Sequence, residues 1–529
     1  VVEGLKVLIV TGLKARPLVE RYVAMRKSSV KVDVLTLPIP VAALITPAYA
    51  ARKLKELKVR GYDLILIPGS VRGDVKAVGK ALNMPVFKGP RHAADLPEIL
   101  DQVHELPLST TKPACELAAG ILAQKAESEI EALKAEALRR IEGGEGVLIG
   151  RRKRKAYWAP GYLPILLAEI ADASKMEDGE IERMASYYVS CGADMVDVGM
   201  EAGGGRPDEA RRAVKAALKA VKVPVSIDSA DSEELEAGVK AGASLILSGD
   251  ASNLQALTRI KGTPIVVTPA GPNGTIPENF IERVERLEEN LKKAENLGFK
   301  RLIADPILGL APPYKFLDAL LGYWEFSRRK PGFPTFFGAG NVTELSDVDS
   351  PGLNFLLALL GWELGAAFLF TVEASRKTMG SVLELSRAVR MTALASRKGA
   401  PPKDLPSNLL LLKEKRCREE PLTPDERPER LVEAAEVREE AVYRDPKGSF
   451  KIRVDREIGK ILALHYRSGS AKPSLAIRGS RPEAIYRTIV KENLVSLLDH
   501  AAYLGFELGK AMVALKTGRS YVQDEDVFP

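Results

Sequence analysis

Residues 223–250 read VPVSIDSADSEELEAGVKAGASLILSGD. An apolar run, Val223 to Ile227, ends on Asp228. A helical stretch follows, and a second apolar run, Leu245 to Leu247, finishes beside Asp250. Strand, crossover helix and strand in so short a space form one unit of a parallel sheet, because parallel neighbours cannot be joined by a tight turn. Both strands are apolar throughout, as strands covered on both faces are.

The same unit recurs on either side. LPILLAEI, DMVDVG, VPVSIDS, ASLILSG, TPIVVTP, KRLIADP, PTFFGAGN and AAFLFTVE read as strands, with helical stretches such as PDEARRAVKAALKAV between them. Eight units in roughly 240 residues predict a closed (β/α)8 TIM barrel, placed at residues 146–400. The strands end, or nearly end, with Glu169, Asp197, Asp228, Ser248–Asp250, Thr268, Asp305, Asn341 and Glu373. A barrel gathers such ends at one mouth, where its chemistry sits.

An Asp after a strand is also a common helix N-cap, and Asp228 ahead of SADSEEL fits that role. Capping does not explain acids at so many strand ends. Crowded carboxylates require a cation, a metal or a donor-rich ligand. Cations are at hand: Arg206 opens the loop after the second barrel strand, and ASRKTMGS places Ser375, Arg376 and Lys377 after the eighth. That last loop, starting a helix, is a frequent phosphate site.

Outside the barrel, LKVLIVTG, VKVDVLTLPI, YDLILIPGSVRGD and MPVFKGP alternate with helical segments, which predicts an open, doubly wound α/β domain at 1–110. VTGLKAR is not GxGxxG, so no dinucleotide site is assigned. The turn PGSVRGD reads either as an anion cradle or as a tight turn needing glycine. A connector helix is expected within 111–145, stopped by GGEG, and then an apolar strand running into a solvated basic turn, Arg151–Lys155. Residues 401–430 read as a linker. Residues 431–529 read as a small α+β domain, with SFKIRVDREIGKILALHY as an antiparallel pair and one or two helices after it. His500 falls at helical spacing among leucines, which suggests packing and not ligation.

Composition narrows the function. The charge of +7 over 529 residues is mild, suits small anionic substrates and does not argue for nucleic acid. No apolar run reaches the roughly 18 residues that span a bilayer, and VVEGLKVLIVTG has no signal-peptide pattern, so a cytoplasmic protein is expected. Cys115, Cys191 and Cys417 are far apart and make no disulfide framework or zinc site. The four histidines are His92, His104, His465 and His500, so barrel chemistry cannot use imidazole. Four glutamines against abundant Lys, Arg and Glu lean towards a thermophilic source.

Four ordered motifs carry a resemblance. CGADMVDVGMEAGGGRPDEA resembles the dihydropteroate synthase stretch GADIIDIGGESTRPG, and VPVSIDSADSEELEAGVKAGASLILS resembles that family's PVSIDT…AGA…IND. LIADPILG is similar to LDPGIGF, and ASRK to SRK. The flanking domains make the layout resemble the archaeal dihydropteroate synthase-related proteins of the pterin-binding TIM-barrel superfamily. The resemblance implies that Asp305 takes the two-donor edge of a pterin, with Asp228 on the ring and Lys377 on a ring oxygen or nitrogen. Arg206 would meet a leaving pyrophosphate or the second substrate. From the ring of strand ends and the loop after the eighth strand, Asp197, Ser248, Asp250, Glu373, Ser375 and Arg376 are expected to complete the substrate site, with Arg376 facing the anion. The resemblance also implies a homodimer.

There are departures from the family pattern. Glu169 stands where the synthases have Asn, and their Arg-x-His-Asp ending is absent. GAGNVTEL resembles instead the turn of pterin-dependent methyltransferases, with Asn341 as the residue near pterin N5. The leading expectation is a dihydropteroate synthase-like transferase joining a dihydropterin-methyl diphosphate to an arylamine in folate or methanopterin-type cofactor biosynthesis. Mg2+ would assist, with Glu169 contacting it or the second substrate; no set of protein metal ligands is assigned. A methyltransferase from a reduced pterin to a corrinoid protein is the second reading, and a non-catalytic pterin-binding protein the third.

Overall fold

The computed structural model describes residues 4–310, 315–399, 401–403, 405–414 and 444–528. Most of the linker expected at 401–430, and Cys417, lie outside these. At the amino end, Lys6–Gly12 (β1), Lys31–Leu37 (β2), Leu64–Ile67 (β3) and Val86–Lys88 (β4) make a parallel sheet in the order β2-β1-β3-β4. Alternation sends Leu8 and Val10 to one face, against Ala50, Leu54 and Val78. It sends Val7 and Ile9 to the other, against Val19, Val23 and Leu100. Helices therefore cover both faces, as a doubly wound sheet requires. In PGSVRGD, Gly69 is needed because a Cβ there would lie 2.4 Å from the carbonyl of Gly89, and Gly73 adopts φ +92°.

The connector is one helix, Ala114–Glu142. After it comes a hairpin, Val147–Arg151 (β5) with Arg154–Trp158 (β6), where the sequence suggested one strand and a solvated turn. Three of the five residues of the basic run, Arg151, Arg154 and Lys155, are thus strand. Arg154 donates to the Leu218 carbonyl at 2.8 Å, while Ile149, Ala156 and Trp158 bury themselves in the barrel interior. Lysine and arginine stems alternating with apolar residues can serve an edge hairpin in this way.

The barrel strands are Ile165–Ile170 (β7), Met195–Gly199 (β8), Val225–Asp228 (β9), Ile246–Gly249 (β10), Ile265–Val267 (β11), Leu302–Ala304 (β12), Phe336–Gly338 (β13) and Phe368–Val372 (β14). All eight expected runs are strands, hydrogen-bonded in parallel in the order β12-β11-β10-β9-β8-β7-β14-β13. A parallel bridge from Ala304 to Thr335 closes the ring. Alternate residues fill two cores. Ile165, Leu167, Met195, Leu247, Ile303 and Phe368 point inwards with the hairpin beneath them. Leu166, Val196, Ile227 and Leu369 point outwards onto the helices. This double burial explains the continuous apolar runs.

The last part holds an antiparallel sheet, Ser449–Asp455 (β15), Lys460–Tyr466 (β16) and Leu475–Gly479 (β17), under two helices, Pro482–Lys491 and Leu498–Thr517. Its third strand was not foreseen. His500 is a packed residue held by Asp445, Nδ1 to Oδ2 3.0 Å. By contacts the chain divides into Val1–Ala374 with Gly380–Arg427, and Ser375–Met379 with Pro428–Pro529. Among the described residues, no helix is long and apolar enough to cross a membrane.

Candidate active site

The inward positions of the barrel change character along its axis. Ile165 and Leu167 precede Glu169 on β7, Met195 precedes Asp197 on β8, Ser226 precedes Asp228 on β9, and Ile303 precedes Asp305 just past β12. Period two places each acid on the inner face above apolar layers. Register then sets them side by side: Glu169 pairs with Asp197, and Asp197 with Ser226. Oxygens of Glu169, Asp197 and Asp228 all lie within 4.8 Å of one another.

Their electrostatics follow from this crowding. Burial, then the neighbouring Asp197, raises Glu169 to a pKa of about 8. Burial, then Glu169 and Asp305, raises Asp228 to about 8. Asp197 is fully buried and lies well above the carboxylate range, through burial and Asp228. Ser226 Oγ donates to Asp197 Oδ1 at 2.6 Å, but Oδ2 has no partner among the described residues. At neutral pH such a group carries protons, so it can both donate and accept hydrogen bonds.

Asp305 differs. Its Oδ1 accepts from the Ile307 N–H and the Tyr323 hydroxyl, both at 2.8 Å. Burial raises it to about 6, and these two donors restrain the rise. Tyr323 Oη also lies 2.8 Å from the Phe336 carbonyl, so one phenolic proton serves two acceptors. Arg283, fully buried, donates to the Asp318 carbonyl at 3.0 Å and lowers the pKa of Asp305 slightly. Neither Tyr323 nor Arg283 was foreseen: each is brought in by one of the two helices that flank β12, Phe280–Asn296 and Phe316–Arg329.

Other expected members of the ring are used locally. Asp250 Oδ1 accepts from the N–H of Ser252 at 2.7 Å and from its hydroxyl, closing a turn. Beside it Asn253 donates to the Ser248 carbonyl at 3.0 Å. Glu373 accepts from the Val382 N–H at 3.0 Å and the Tyr187 hydroxyl at 3.3 Å, securing the start of the last barrel helix. Thr268 offers its carbonyl to buried Asn290. Asn341 donates to the Leu308 carbonyl at 3.0 Å, which tethers it to the loop that begins at Asp305.

Asp228 is not a cap. Asp231 is, accepting from the Glu233 N–H at 2.8 Å and also from the Gly205 N–H at 2.7 Å. Glu234, fully buried, accepts from the Arg206 N–H at 2.9 Å and the Ser229 hydroxyl at 2.5 Å. The loop after β8 is thus fastened to the loop after β9. Arg206 Nη1 sits 2.7 Å from Glu201 Oε2 in an ion pair, without the geometry of a hydrogen bond. Ser375, Arg376 and Lys377 follow β14 but group with the carboxyl-terminal unit.

The cluster fits a hard cation. Three carboxylates converge, one oxygen is buried without a partner among the described residues, and burial with mutual repulsion raises the pKa values of Glu169 and Asp228. Mg2+ takes oxygen ligands of this kind and keeps several waters.

Residues 171–351 match the family described as pterin binding enzyme. Residues 5–91 match a family of unknown function, DUF6513, and residues 444–524 match PterinBD-DUF4346. Over 545 aligned positions the chain is 36% identical to "uncharacterized protein MJ0107" of Methanocaldococcus jannaschii, spanning 99% of each chain. The chain belongs to this family of pterin-binding TIM barrels. A Ycf91-like protein of Nostoc is 36% identical over 106 positions, covering 15% of this pterin-binding barrel protein and 83% of the relative. Two solved structures are similar to it. One is a dihydropteroate synthase from Coxiella burnetii in complex with pteroic acid: 18% identity, 48% of this chain, 100% of that chain, TM-score 0.39. The other is the Yersinia pestis enzyme with a pterine-sulfa conjugate: 16% identity, 48% and 100% coverage, TM-score 0.38.

Proposed function

We propose that the barrel binds a reduced pterin over its acids and joins the pterin's exocyclic methylene carbon to an arylamine, as a dihydropteroate synthase-like transferase. The observation that carries this is the placing of Asp305 and Asp228. Asp305 has Oδ1 held by Ile307 and Tyr323, which fixes the carboxyl plane and leaves Oδ2 for a ligand. A pterin's 2-amino group and N3–H present donors to such a carboxylate.

In the reaction the C–O bond of a pterin-methyl diphosphate breaks, and pyrophosphate leaves with the electron pair. The amine lone pair forms the new C–N bond, and the amine proton passes to water. Glu169, Asp197 and Asp228 would hold Mg2+, which supplies charge neutralisation for a departing diphosphate. Asp305 orients the ring, and the apolar layers with the hairpin below exclude water from under it.

Asn341 favours a second reading. It is tied to the loop starting at Asp305, as an amide beside pterin N5 would need to be, which suits methyl transfer from a reduced pterin to a corrinoid protein. Calorimetric titration with a reduced pterin, with and without pyrophosphate and Mg2+, separates the readings. Binding strengthened by pyrophosphate supports the synthase, and binding indifferent to it supports the methyltransferase. Pterin binding with no product formed when an arylamine or a methyl acceptor is added leaves a binding protein, and no pterin binding sinks all three.

A further inference from the structure

We propose that the amino-terminal sheet carries a second ligand site, for a small ring compound that is apolar on its faces and has an anionic or hydrogen-bond-accepting group on its edge. The site is a cavity of about 220 Å³ at the carboxyl ends of β1, β3 and β4. The order β2-β1-β3-β4 makes the gap between β1 and β3 the point where the chain's winding reverses. Open parallel sheets bind ligands in that crevice, since the loops on either side of it diverge.

The cavity is built and held. Gly12 and Gly69, which end β1 and follow β3, admit neighbouring backbone where a Cβ would collide: 2.7 Å from Ala42 N and 2.4 Å from Gly89 O. The Gly69 N–H donates to the Pro90 carbonyl and the Leu13 N–H to the Ile39 carbonyl, both at 2.9 Å. Buried Lys88 reaches the Val71 carbonyl at 2.8 Å. The walls are therefore stitched together without a ligand.

The lining selects the chemistry. Leu18, Val19, Ala42 and Leu66 give apolar walls. Thr11 is 2% exposed and lines the cavity, so its hydroxyl is a buried polar group on the wall. Ser70 adds a second hydroxyl, and Arg91 and His92 stand at the rim. No Asp or Glu lines the cavity, so a cation would be desolvated there without a countercharge. A ring buries its faces on the walls and reaches Thr11 and Ser70 with its edge.

Methyl-labelled NMR of the full chain tests this with benzoate, benzyl alcohol and benzylamine as probes. Benzoate or benzyl alcohol at millimolar concentration should shift the Val10, Leu18 and Val19 methyls, with benzylamine at least threefold weaker. Thr11→Val should weaken binding about threefold or more, and Leu18→Trp should abolish it. If Leu18→Trp melts early, Ala15→Leu narrows the cavity from the N-cap of the helix Arg16–Ala24 that carries Leu18. Absence of shifts, equal binding of benzylamine, or shifts confined to barrel methyls would overturn the proposal.

Discussion

The carboxylate of Glu169 lies over the bare Cα of Gly199: a Cβ built there would stand 2.1 Å from Glu169 Oε1. Glycine at the end of β8 is what lets the first-strand acid lean towards Asp197 and Asp228. Gly199→Ala pushes on the flexible end of a side chain, so the fold should lose no more than about 1 kcal/mol. The cluster should open, and Mg2+ affinity should fall several-fold by calorimetry. Unchanged Mg2+ affinity would show that Glu169 does not contribute a ligand.

Asp305→Asn replaces one acceptor by a donor. Reduced-pterin affinity should fall by about 2 kcal/mol or more, roughly thirtyfold. Tyr323→Phe removes a donor that restrains the Asp305 pKa, so the pH above which pterin binds should move upward from about 6. Titrations across pH 5–8 measure both effects; an unshifted profile would mean the tyrosine bonds only to Phe336.

Stability of the ligand-free protein should fall as pH rises. Glu169 and Asp228 have folded-state pKa values raised to about 8, against about 4 when unfolded. The folded state then binds more protons between those values. This contribution is fully present below about pH 4 and lost as pH passes about 8, with a slope of up to about 1.4 kcal/mol per pH unit for each proton. Urea midpoints at pH 5, 6.5 and 8 should decline, and MgCl2 should flatten the decline. A midpoint that rises over this range contradicts the crowded cluster.

Asp231 joins two loops and caps the helix Ser232–Ala241. Asp231→Ala should cost about 1 kcal/mol in a melt, typical of a lost cap. It should also speed amide exchange at Gly205 and Arg206. Exchange unchanged at Gly205 would show that Glu234 holds that loop alone.

The repeated strand-helix units were legible in the chain itself, and so were the acids at the strand ends, because eight apolar runs each bounded by turn chemistry admit few other architectures. Which acids meet was not. At β10 Leu245 and Leu247 face inwards, but the register then shifts, and a Cβ at Gly249 would meet Ile265 and Leu254 of the outer core, so Asp250 leaves the strand into a turn of its own. In β14 the inward residues are Phe368 and Phe370, so Glu373 falls on the outward parity. Asp228 and Asp305 fall on the inward parity. Strands buried on both faces carry no hydrophobic alternation, so the sequence hides this parity and only closure of the barrel sets it. Tyr323 and Arg283 reach Asp305 for the same kind of reason: helix packing brought them there, and no local spacing announces it. The sequence by itself determined the architecture and the supply of carboxylates, and the tertiary structure decided which of them would share one desolvated mouth.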